Sequence, residues 1–491
     1  MKTPTLQSTR RSFRVVLPMV ATLFAWSSAA WLAQAETVPP KSIRAERELF
    51  ITAPAVVDSE AARYPGAWSF GTLLRELVGA DKASEGVADW LATWRQAQTV
   101  NDQVVMPRPR IDALVIEPWQ ARDEYDPKSG APWKPNLVHA PFRLLAIVNR
   151  MDLCAPEVAG TFKKVETVWS NAGRAAEFAR LTQPAGLQTP SFSGYGGGFT
   201  GSPVTFGEGR LIFGATDVQG QPLPGEWTVI FEYRLPGATN RGLHEWALSW
   251  HGLALDDVGS RQFPPALERV TRMFTHRASN DGTPALAQLR SSEAAFGADR
   301  EFRQFKLEDG HLRPAPLTQT PAPPFAKRHG REHDLLAEFL HERDPLIRSG
   351  VHHLPATLAG RRGTAPLLAG SAFIPAAEPD FHWEIGGAVS PDARRIYSLN
   401  TCNGCHAGET GCRDGLHVHP RTAGTAARLS EFLRTDQQPL RVADPARHAE
   451  KVEYREMEDR AAIFAALLEN KERDRLGDLH EVLRRRLQRT H

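Results

Sequence analysis

The sequence predicts an α+β fold, with an N-terminal mixed helix and sheet domain followed by a smaller, mainly helical C-terminal domain. Three observations carry that expectation. Helical spacing dominates 68–98, and apolar runs rich in β-branched and aromatic residues occupy 142–148, 210–213 and 227–233. Helical spacing then returns beyond a proline-dense stretch at 311–330. At 491 residues the chain is too long for one compact core.

The chain opens with a leader. Lys2, Arg10, Arg11 and Arg14 precede an apolar run at 15–32, and Ala33-Gln34-Ala35 ends it as a signal-peptidase site would, so 1–35 reads as a signal peptide. Its loss takes 59 basic against 57 acidic residues to 55 against 57, a formal net of −2, which argues against nucleic acid as a partner. No later stretch offers the roughly 20 unbroken apolar residues of a membrane span, so a periplasmic or secreted protein is expected. Thr9-Arg10-Arg11-Ser12-Phe13 is similar to a twin-arginine signal, a route that carries folded proteins.

In 36–310, Phe70, Leu74 and Leu77, then Val87, Leu91 and Trp94, recur at helical steps and predict two helices. The three apolar runs predict buried strands of one sheet, 243–255 and 265–274 two more helices, and 302–307 a half-exposed strand. Gly194, Gly196, Gly197, Gly198 and Gly201 crowd 191–209. A strand follows them and no lysine is present, so they predict a surface loop rather than a phosphate cradle. Arg150 and Asp152 close one strand run beside Glu208, Arg210 and Glu232, a set expected to pair internally. Pro314, Pro316, Pro321, Pro323 and Pro324 predict a stiff linker over 311–330. The second domain, 331–491, is expected to hold helices at 332–342, 426–434, 456–470 and 473–489.

The chemistry concentrates there. Ser390-Pro391 reads as an N-cap and first helical position, with Ile396, Tyr397 and Leu399 as apolar contacts. Cys402-Asn403-Gly404-Cys405-His406 follows, and a turn of helix sets both thiols on one face with the imidazole beside them. This C-x-x-C-H run resembles the haem-attachment motif of c-type cytochromes. The resemblance covers five residues of 491; the remainder resembles only uncharacterised bacterial secreted proteins with an N-T-C-N-G-C-H segment. It implies covalent haem c on Cys402 and Cys405, His406 as proximal iron ligand, and electron transfer with a redox partner protein or a small-molecule donor or acceptor. Such haem is attached outside the cytoplasm to an unfolded chain, which the twin-arginine route would not supply.

For the sixth ligand, His417 and His419 lie on one side of a short extended run, His417 being preferred, and Met457 is the alternative. Met457 also falls on a helical stripe with Ala461, Phe464 and Leu468, the pattern of a core residue. Arg413 and Arg421 are candidates for the haem propionates. Without haem, the chain would be a secreted binding or structural protein whose cysteines form a disulfide or whose Cys402, Cys405, Cys412 and His417 hold zinc. Cys154 and Cys412 could also pair. No catalytic residue is nominated, and whether the chain is an enzyme or a carrier stays open.

Overall fold

The computed structural model describes residues 43–150, 204–237, 240–277, 285–348, 352, 354–386, 389–434 and 438–469. The expected leader at 1–35, Asp152, Cys154, most of the glycine-rich loop and the helix expected over 473–489 lie outside these residues.

Period-two alternation builds the centre. β1 (Phe50–Ile51), β2 (Phe142–Arg150), β3 (Val204–Ala215), β4 (Trp227–Gly237), β5 (Leu286–Glu293), β6 (Arg300–Glu308), β7 (His311–Ala315) and β8 (Ala372–Ile374) form one sheet. Its order is β1-β2-β3-β4-β5-β6-β8, with β7 also on β6, and every pair is antiparallel. With the helices around it, the chain is α+β, as the sequence predicts.

Successive side chains leave a strand on opposite faces. Leu211, Phe213, Trp227, Val229, Phe231, Leu289 and Phe305 make one face largely apolar, with Glu293, Glu301 and Arg303 buried along its edge. It is covered by α1 (Phe70–Val78) and α2 (Ala83–Arg95), with Trp90 stacked on Trp227 at 5.7 Å and Trp94 against Phe305 at 5.2 Å. α1 begins where the Ser69 side chain accepts the Thr72 amide. Two further helices, α3 (Asn240–His251) and α4 (Phe263–Thr275), join this layer, and Phe274 of α4 meets Tyr233 at 5.4 Å.

The other face is charged and also buried. It carries Glu208, Arg210, Glu232, Gln288, Arg290 and Gln304, and cross-strand register sets Arg210 beside Glu232 and Arg290 beside Gln304. Buried charge needs partners. Arg210 pairs with Glu208 and lies 3.5 Å from Glu232, which Arg290 approaches at 3.7 Å. Burial alone would raise the Glu208 carboxyl, but Arg210, Arg234 and Arg150 hold it well below the usual carboxylate range.

What covers this face comes from later in the chain. Beyond α5 (Arg331–Glu342) run α6 (Pro391–Leu399), α7 (Cys402–Cys405) and α8 (Glu456–Glu469). Thr318 donates its amide to Gln304 at 3.0 Å, and the His406 ring lies 5.1 Å from that of Phe302 on β6. The Arg421 guanidinium donates to the Leu144 carbonyl of β2 and to Asp58. Among the described residues, none of the helices is long and apolar enough to cross a membrane.

Several expectations need correction. The 311–330 stretch is not a bare connector: it holds β7, and Leu317, Ala322 and Phe325 are buried. Pro314 is tolerated because β7 is an edge strand and need not donate on its outer side. Among the described residues beyond 330, helical residues outnumber strand residues, but this part also supplies β8 and the hairpins Thr357–Gly360 with Gly363–Pro366 and Leu440–Asp444 with Arg447–Tyr454. It also shares a core with the N-terminal part, Leu399, Val418 and Phe464 joining the cluster of Leu144 and Phe213. β6 is buried through Phe305 instead of half exposed. Finally, 426–434 is not a helix: Ser430 and His419 exchange backbone bonds with His417 and Arg428, leaving only a 3-10 turn at Glu431–Leu433.

Candidate functional site

Local chemistry shapes the motif. Ser390 accepts the Ala393 amide at 3.2 Å and starts α6; Thr401 accepts the Gly404 amide at 3.0 Å and starts α7. A Cβ at Gly404 would collide with the Ser398 carbonyl and the Thr401 hydroxyl, so only glycine fits. One turn places Cys402 and Cys405 on a shared face, both buried and neither in a disulfide. The Cys402 amide donates to Thr320 at 2.9 Å, and burial pushes its thiol up from the ordinary value.

His406 lies 3.0 Å through Nδ1 from the Gly415 carbonyl oxygen. A carbonyl only accepts, so Nδ1 carries the proton and Nε2 the lone pair. The residue keeps a partly exposed edge, yet burial, aided by Arg300 and Arg290, pushes its pKa down to about 4, so the ring is neutral.

His417 is buried, with Nδ1 2.8 Å from Ser430 Oγ and Nε2 3.4 Å from Cys405 Sγ. Its ring centre is 4.5 Å from that of His406. Metal–nitrogen bonds of about 2 Å on both sides of an iron would hold two imidazole centres roughly 6 Å apart. The structure therefore brings His417 to the motif but does not present it as a preformed sixth ligand. Met457 is buried in α8 and lines a pocket of about 520 Å³ with Phe432 and Tyr454, as its helical stripe predicts for a core residue. His419 sits among Asp414, Glu226 and Arg428, its Nδ1 accepting from Arg428 at 2.9 Å.

The zinc set does not converge. Cys412 donates to the Leu416 carbonyl at 3.2 Å and is pushed up to about 12 by burial and Asp414, so it is a protonated thiol turned into its own loop. Among the described residues, no group of three or more His, Cys, Asp or Glu side chains is placed to hold a metal ion. The propionate candidates serve elsewhere as well: Arg413 is exposed beside Asp380, and Arg421 is committed to Asp58, Val57 and Leu144.

Sequence reasoning missed Arg300, Phe302, Thr320, Gly415 and Ser430, which surround the motif. Only the paired glycines of the Gly411 to Gly415 turn carried a local signal. In comparisons with family models, curated proteins and solved structures, the chain matches none.

For covalent haem, the donors fit in three respects. Two unbridged thiols share a helical face, a neutral imidazole follows, and its outer nitrogen is already anchored on a backbone carbonyl, the support a ligating histidine commonly has.

Proposed function

We propose that this chain is an exported, single-haem c-type protein that carries one electron at a time in the periplasm. The observation that supports it is the His406 tautomer, fixed by the Gly415 carbonyl one residue beyond a turn that bears both thiols. Cys402 and Cys405 would hold the porphyrin by thioethers and His406 would bind the iron; the haem would supply a one-electron ferric/ferrous couple. The chain's part is positional. Thr401 and Gly404 set the turn that aims the thiols, and Phe302 flanks the imidazole. His417 lies against His406 with its Nδ1 on the Ser430 hydroxyl, beside the imidazole that would bind the iron. The basic and apolar leader supports export, and the partner class is a redox protein or a small-molecule donor or acceptor.

The test is production in a host with haem-attachment machinery. A Soret band that survives denaturation, together with a covalent mass increase lost in the Cys402→Ser, Cys405→Ser double variant, is expected. Colourless protein at the bare polypeptide mass would sink the proposal.

A further inference from the structure

His406 is held by a carbonyl, and that carbonyl is held by the sheet. Gly411 and Gly415 adopt φ of +67° and +72°, a region that favours glycine, and so reverse the chain just after the motif. Arg300, the first residue of β6, is buried against this turn. Its Nε donates to the Asp414 carbonyl at 2.9 Å, and its terminal nitrogens reach Ser292 Oγ at 3.3 Å and the Gly225 carbonyl at 3.5 Å. The arginine stem occupies the place a Cβ on Gly415 would need. From the other side, Asp414 Oδ1 accepts the Leu416 amide at 3.4 Å. Arg300 thus holds the Asp414–Gly415 peptide, and the Asp414 carboxylate holds the next one, whose Gly415 carbonyl meets His406. Phe302, two residues along the same strand, touches the imidazole itself.

We infer that Arg300 is a positioning residue for His406: by pinning the 411–416 turn it fixes the Nδ1–H tautomer and leaves Nε2 as the nitrogen open to a ligand. The inference rests on the haem reading for the identity of that ligand, whereas control of the tautomer belongs to the chain alone. A motif that looks self-sufficient in five residues takes its orientation from a strand about a hundred positions earlier (Arg300 against His406).

The experiment uses the full chain with ¹⁵N-labelled histidine, made without haem-attachment machinery. Long-range ¹H–¹⁵N spectra report each tautomer, and the His406 signals are identified by their loss in His406→Gln. The native protein is expected to show a single Nδ1–H form at this position. Arg300→Gln and Gly415→Ala are expected to turn it into a mixture or into the Nε2–H form, and Arg300→Lys, which retains a single cationic donor group, to recover the native form in part. A folded Arg300→Gln protein with an unchanged His406 tautomer overturns the inference. Loss of folding in both Arg300→Gln and Arg300→Lys also overturns it, because the side chain would then serve the sheet rather than the imidazole. No haem enters the measurement, so its failure leaves covalent attachment standing, and a bare-mass result in the haem assay leaves the tautomer result standing.

Discussion

Replacing Arg421 with methionine should cost the folded protein about 3–5 kcal/mol, the range for stripping one partner from a buried ion pair. Its side chain is 1% exposed and its Nη1 and Nη2 each donate to Asp58 at 2.8 Å. Nη2 also reaches the Val57 and Leu144 carbonyls, both at 2.9 Å, and Nη1 the Thr425 carbonyl at 2.9 Å. Methionine fills much of the volume but donates nothing. Asp58 is 20% exposed, so water recovers part of the loss there. The Val57 and Leu144 carbonyls are deeper, and each unsatisfied acceptor adds about 1 kcal/mol or more. Denaturant unfolding read by tryptophan fluorescence measures the change. A double-mutant cycle with Asp58→Ala should show coupling above about 1 kcal/mol, because the two groups are in direct contact. A loss below about 1 kcal/mol, or strict additivity in the cycle, would refute the reasoning that this guanidinium joins the motif segment to the sheet.

Three further outcomes are expected. Burial holds the Glu293 carboxyl up at about 7 against the pull of Arg108, so the folded chain keeps a proton that the unfolded chain releases above about 4.5. Stability should therefore fall as pH rises from about 4.5 through 7, by roughly 3 kcal/mol in all, and Glu293→Gln should flatten that part of the curve; an unchanged slope would count against it. Thr401→Ala, which removes the cap of α7 and strands the Gly404 amide, should cost about 1–2 kcal/mol in thermal unfolding, and an unshifted midpoint would contradict that role. Met457→Leu keeps the core volume, so a cost under about 1.5 kcal/mol and an unaltered visible spectrum in haem-loaded protein are expected; a changed spectrum would make Met457 an iron ligand.

The fold's local units were legible where period and side-chain type agree. The 227–233 run, with its aromatics at alternate positions, had to form a strand with one apolar face, and the 70–77 spacing could only form a helix with a stripe. Ser390-Pro391 announced α6 because capping is local chemistry. What the chain hid was long-range. The proline-dense stretch looks like a connector until an edge of β6 is available to it. Ala426 to Arg434 has helical composition, but pairing with 417–419 wins because it buries His417 and Val418. Arg300 could not be connected with His406, since nothing between them in sequence records that β6 lies under the 411–416 turn. His417 was found by its alternation with Val418; its contact with Cys405 was not, because spacing gives reach and not direction.

β8 carries a consequence for how the molecule is made. The strand that finishes one side of β6 is drawn from residues 372–374, and the arginine clasp on β2 from residue 421. A polypeptide emerging from its N-terminus must leave part of the β6 edge paired only with water until most of its length exists, and such non-local closure is slow. A fragment beginning at the proline-dense stretch would leave β6 without its neighbours and carry a three-residue strand with nothing to join.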